Sequence, residues 1–158
     1  MYNQLSVKEL IQKLESYCAY QERCHREVET KLRSMTNDED EIGEVIVHLL
    51  QYNYLNEERF ARAFARGKNR IKHWGKSRIT MELKQRKISD TIIKLALTEI
   101  DQDEYDSAFE DLAERHWESI RETNIYKKLK KFCDFLLRKG YDSGKVYEVM
   151  KEIERLKD

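Results

Sequence analysis

The chain has 158 residues, no proline and five glycines, and its 30 Lys and Arg are balanced by 30 Asp and Glu, for a formal net charge of zero. This length suits one ordinary domain, the lack of proline leaves little to interrupt a helix, and no apolar run approaches the roughly 20 residues that a membrane-spanning helix needs. Cys18, Cys24 and Cys133 are odd in number and form no C-x-x-C pair, which argues against a disulfide framework or a zinc site and leaves them as small core residues.

Ser6, with Glu9 three residues later, forms a capping box that starts a helix through Leu10, Ile11, Leu14 and Cys18. Met1 to Leu10 lacks the apolar core of a signal peptide, so the protein is expected in the cytoplasm. A helix with Val28 and Leu32 follows, then a polar stretch from Thr36 to Asp40, then a helix through Ile42, Ile46, Leu49 and Leu50. Asn56 is a good N-cap, and Glu57 and Glu58 suit the positive start of a long basic helix with Phe60, Phe64 and Ile71 turned inward. Gly75 marks a break, and Ser77 is the expected cap of the helix carrying Ile79 and Leu83. Ser89 or Asp90 starts a helix with Ile93 and Leu97. Asp101 and Glu104 open an acidic helix with Phe109, Leu112 and Trp117. The last pair carries Phe132 and Leu136 before a Gly140 stop, and Val146 to Ile153 after an Asp142 start.

One apolar pattern recurs three times. Val28, Leu32, Ile42, Ile46 and Leu49 have the same spacing as Ile79, Leu83, Ile93, Leu97 and Ile100, and as Phe132, Leu136, Val146, Met150 and Ile153. Pairs four apart are one helical turn, and the ten-residue step leaves room for a helix end and a new start. A hairpin cannot bury its apolar face alone, whereas stacked neighbours can. The expected fold is all-α: three tandem three-helix repeats, at about 6–54, 55–100 and 101–158, forming an elongated, curved helical-repeat body.

The zero net charge hides segregation. From Arg59 to Lys87 there are eleven Lys or Arg against one acid, Glu82, while Asp38, Glu39, Asp40, Glu41, Glu44, Glu57 and Glu58 gather just before, with a second acidic stretch from Asp101 to Glu122. Such a concentration of like charge repels itself unless an anionic partner covers it, which points to nucleic acid or a nucleoprotein. Catalytic constellations are not apparent: no Gly-rich phosphate loop, no G-x-S-x-G, no H-E-x-x-H, and His25, His48, His73 and His116 stand apart. No enzymatic activity, metal or cofactor is expected.

The segment Tyr54-Leu55-Asn56-Glu57-Glu58-Arg59-Phe60-Ala61-Arg62-Ala63-Phe64, followed by Trp74-Gly75-Lys76-Ser77-Arg78-Ile79 and Glu82 to Ser89, closely resembles the central motif of the RecX family, and Phe135-Leu136-Leu137-Arg138-Lys139-Gly140-Tyr141 resembles its repeat ending. The resemblance covers essentially the whole chain. It implies a non-enzymatic modulator that lies in the groove of the RecA filament on single-stranded DNA, touching protein and DNA, and that reduces ATP hydrolysis, strand exchange and co-protease activity. Lys87 departs from the pattern by standing where the family has glycine, Thr36-Asn37 replaces the ending of the first repeat, and Asn56 stands where Asp is commoner.

The expected contact band is Arg59, Arg62, Arg66, Lys68, Arg70, Lys72, Lys76 and Arg78, with 59, 62, 66 and 70 on one helical face. Lys127, Lys128, Lys130 and Lys131 are the expected secondary contact. The partners expected are the RecA filament and single-stranded DNA, for a monomer with no membrane contact. The rival readings are an autonomous nucleic-acid-binding helical protein and a scaffold for an acidic protein.

Overall fold

The structure is a computed structural model and describes residues 5–156. The first residues of the Met1–Leu10 segment and the end of the third expected repeat, 157–158, lie outside it. Nine α-helices and no strand occur among the described residues: α1 (Val7–Tyr20), α2 (His25–Arg33), α3 (Glu39–Gln51), α4 (Glu57–Lys72), α5 (Lys76–Gln85), α6 (Asp90–Leu97), α7 (Gln102–Ser119), α8 (Ile125–Lys139) and α9 (Ser143–Leu156). They divide into two compact units. One holds the described residues up to Ala63 with Leu83–Ala96, the other Phe64–Glu82 with those from Leu97 onward.

In the first unit, α1 packs on α2 and α3, and α2 on α3. The capping box at Ser6 and Glu9 is formed from both sides, and the Asp38 carboxylate accepts the N–H groups of Asp40 and Glu41. Leu10, Leu14, Val28, Leu32, Val45 and Leu49 lose all exposure in one core with Ile42 and Ile46, each such side chain contributing about 1.5–3 kcal/mol on burial.

In the second unit, α7 packs on α8 and α8 on α9. Phe132, Leu136 and Val146 are fully buried, but Met150 and Ile153 of the same spaced set are only half covered, since α9 rests chiefly on α8. The acidic helix buries Tyr105, Phe109 and Ala113, leaving Leu112 and Trp117 half exposed. Gly140 ends α8 in the left-handed region at φ 101°.

Two expectations need correction. Ile71 is 75% exposed, and Phe64 only half buried; the covered face of α4 is Phe60, Ala61 and Ala65, and the helix ends one residue after Ile71, at Lys72. Ser77 is not a cap: α5 starts at Lys76, which puts Gly75 at the cap position, and the initial N–H groups are satisfied by distant residues.

Lys87 is left-handed, at φ 59°. The turn closes through its N–H to Lys84 O and through Ile88 N–H to Leu83 O, so the side chain is tolerated at a position glycine fills without strain. The strain is about 1–2 kcal/mol, and glycine's added freedom when unfolded gives back roughly half of it. Lys87→Gly is expected to raise stability by about 0.5–1 kcal/mol, seen as a higher denaturant midpoint at constant slope. A lower midpoint would contradict the strain argument.

Candidate polyanion site

The α4–α5 junction is the part of the basic stretch with the most constrained backbone. His73 is left-handed, at φ 58°, and Gly75 presses against Gly140 so closely that an added Cβ would lie 2.5 Å from Tyr141 N and overlap the Gly140 carbonyl. Buried backbone groups need partners, and seven carbonyl and N–H groups of this turn have one. The carbonyls of Lys72, His73 and Trp74 accept from Lys139 Nζ (3.0 Å), the Tyr141 hydroxyl (3.2 Å) and Asn69 Nδ2 (3.0 Å). The N–H groups of Trp74, Gly75, Lys76 and Ser77 donate to Lys68 O (3.1 Å), Lys139 O (2.7 Å), the Tyr105 hydroxyl (3.0 Å) and Gly140 O (3.0 Å). Burial, then the neighbouring Tyr105, pushes the Tyr141 hydroxyl up to about 12, and burial raises Tyr105 as well. Both hydroxyls remain protonated through the physiological range, Tyr141 as donor to His73 O and Tyr105 as acceptor from the Lys76 N–H.

The expected contact residues sort by their partners. Arg59 donates from Nε to Glu22 (2.6 Å) and from Nη2 to the carbonyls of Asn53 (3.0 Å) and Tyr54 (3.1 Å), so its guanidinium ties the start of α4 to the first unit's own backbone. Arg62 pairs with Glu58 at 3.1 Å and Arg66 with Glu99 at 3.3 Å. Lys68, Arg70, Lys72, Lys76 and Arg78 have no carboxylate within 4.0 Å among the described residues. Arg70 and Lys72 are exposed. Lys76 Nζ donates to Gln102 Oε1 (2.8 Å), and Arg78 Nη1 to Arg138 O (3.3 Å). These five belong to the second unit.

The secondary group is more neutralised. Lys130 pairs with Asp134 at 2.7 Å and Lys131 with Glu122 at 3.2 Å, whereas Lys128 lies over the Trp117 ring at 4.2 Å and Lys127 is exposed. The Glu122 carboxyl is held below its usual range by the Asn124 N–H first and the Lys131 ammonium second. Sequence reasoning missed the residues that organise the site: Asn69, Tyr105, Lys139 and Tyr141. Tyr105, Lys139 and Tyr141 act through contacts 29 to 68 residues apart in the chain, which no local pattern encodes, and Asn69 bonds Trp74 five residues on.

The other reactive groups serve packing. Cys18, Cys24 and Cys133 are buried free thiols, and burial raises all three above the ordinary thiol value. His116 stacks on Phe135 at 3.6 Å, and burial, with the Arg138 charge, lowers its proton affinity. Among the described residues no cluster of His, Cys, Asp or Glu is placed to hold a metal ion, and no helix is long and apolar enough to cross a membrane.

Fold and geometry define a class: an all-α helical-repeat protein whose cations are left unneutralised around one pinned turn. Residues 56–97 match the second three-helix domain of RecX, and residues 103–150 match the third. The chain belongs to the RecX family of regulatory proteins. It is 35% identical over 123 residues to the regulatory protein RecX of Clostridium perfringens strain 13, covering 76% of this chain and 57% of that one. To the regulatory protein RecX of Bacillus cytotoxicus strain NVH 391-98 it is 30% identical over 159 residues, or 100% of this chain and 58% of the relative. The chain thus spans less than two thirds of the length of these curated relatives. The crystal structure of RecX from Lactobacillus salivarius aligns with a TM-score of 0.78 at 26% identity, covering 94% of this chain and 96% of that one. A second RecX crystal structure shares the fold, with a TM-score of 0.81 at 21% identity over 92% of this chain and 73% of its own.

Proposed function

We propose that this chain is a regulator of RecA that binds the groove of the RecA filament on single-stranded DNA and inhibits ATP hydrolysis, strand exchange and co-protease activity. Membership of a family of regulatory proteins supports it, and one structural observation carries it: Lys68, Arg70, Lys72, Lys76 and Arg78 stand around a pinned turn with no carboxylate within 4.0 Å among the described residues. Cations free of direct ion pairs keep more of their field for phosphates or acidic groove side chains than paired ones do. Arg59, Arg62 and Arg66 have intramolecular partners and contribute less per charge, and the same holds for Lys130 and Lys131 beside Lys127 and Lys128. The chain acts as a cytoplasmic monomer of three repeats, at about 6–54, 55–100 and 101–158, that bridge neighbouring filament subunits. Bridged subunits resist the rearrangements of their ATP cycle, which accounts for inhibition without chemistry. RecA's DNA-dependent ATP hydrolysis, followed with and without this protein at substoichiometric amounts, tests this. Marked loss of hydrolysis is expected, and an unchanged rate with excess protein would refute it.

A further inference from the structure

Aromatic rings, rather than paired carboxylates, lie against three cations of the α4–α5 turn, Lys68, Lys76 and Arg78. Lys68 Nζ lies 5.0 Å from the centroid of the Trp74 ring and 5.5 Å from that of Phe64. The Arg78 guanidinium carbon lies 4.1 Å from the same Trp74 centroid, and Lys76 Nζ is 4.8 Å from the Tyr105 ring. One indole therefore carries two positive groups.

A carboxylate in its place would orient those groups equally well but would cancel the charge that a polyanion reads. The negative face of an aromatic ring attracts a cation through its quadrupole and leaves the formal charge intact. The ring is itself well placed for the task. The Trp74 N–H and carbonyl are bonded to Lys68 and Asn69, the next residue is locked against Gly140, and Phe64 meets the ring edge-on at 6.2 Å.

We propose that Trp74 is a positioning residue of the polyanion site, presenting Lys68 and Arg78 as ordered but uncompensated charges. This rests on the polyanion reading above. The competing role for an aromatic among cations is to stack directly on a nucleobase, and the two roles are separable because only stacking needs a base.

The test uses the full chain with Trp74→Phe, which keeps a ring, Trp74→Met, which fills similar space without one, and the double variant Lys68→Ala/Arg78→Ala. Each is titrated against oligo(dT) and against a base-free deoxyribose-phosphate oligomer of equal length, over a series of KCl concentrations, with melting curves in parallel. Trp74→Met is expected to melt like Trp74→Phe yet bind both polymers about five- to thirtyfold more weakly than wild type, the loss of two cation–π contacts. Trp74→Phe recovers most of that loss. The double variant flattens the salt dependence by about 1.4 in the log–log slope. Loss confined to the base-bearing oligomer would assign Trp74 to stacking instead, and Met binding as well as Phe would leave the ring no role; either overturns the proposal. A double variant with wild-type affinity and slope would sink the polyanion reading itself.

Discussion

Gly75→Ala is expected to lower the melting temperature by about 6–12 °C, because its new methyl group meets backbone and not a flexible side chain. The Cβ would overlap the Gly140 carbonyl and lie 2.5 Å from Tyr141 N, and neither can rotate away. Relief requires parting the two segments, which stretches the bonds from Gly75 N–H to Lys139 O and from Ser77 N–H to Gly140 O. Overpacking of this kind, with two strained hydrogen bonds, costs about 3 kcal/mol, or roughly 2–4 °C of melting temperature per kcal/mol at this chain length. Gly140→Ala meets Arg78 from the other side, 2.6 Å from its N, and starts from φ 101°, so it should be at least as damaging. Gly67→Ala is the control: nothing lies within 4 Å of its Cβ, and it sits inside α4, where alanine is favoured by up to about 1 kcal/mol. A Gly75→Ala protein melting within 2 °C of wild type would contradict the close approach.

Reversing the two exposed, uncompensated cations is expected to have the largest effect on activity. Arg70→Glu with Lys72→Glu removes two positive charges that form no ion pair within 4.0 Å among the described residues and adds two negative ones, so binding to single-stranded DNA should fall roughly a hundredfold at physiological salt, with the log–log salt slope smaller by about 1.4. Inhibition of RecA's ATP hydrolysis should fall with it, while the fold is kept and the melting temperature drops by only a few degrees, since neither side chain makes a bond that is lost and the cost is that of two acids in the last turn of α4. Reversal of Arg62 and Arg66, which sequence spacing also nominates, is a poorer test. Their partners Glu58 and Glu99 stand at 3.1 and 3.3 Å, so like charges would then face each other and stability would move as well. Full inhibition by the Arg70/Lys72 variant would mean that the contact lies elsewhere.

Much of this was legible in the residues alone. The spaced set from Val28 to Leu49 reappears in space as one buried core, because a period of four and a ten-residue step admit few arrangements other than helical hairpins. Caps at Ser6, Asn56, Asp101 and Asp142 bond where expected, since a capping side chain reaches only two or three residues. The errors lie where local rules stop. Ile71 continues the apolar spacing but falls in the last turn of α4, where nothing covers it, and Ser77 resembles a cap although Tyr105 and Gly140 already satisfy the start of α5.

Sequence by itself determined the helices and the segregation of charge, both properties of neighbours within a turn or two. Which cations keep their charge was decided only by tertiary structure, because pairing Arg66 with Glu99 or laying Arg78 over Trp74 depends on where the folded backbone brings each head group. The same is true of the α4–α5 turn, whose carbonyls and N–H groups are met by Lys139, Gly140 and Tyr141 from more than sixty residues away.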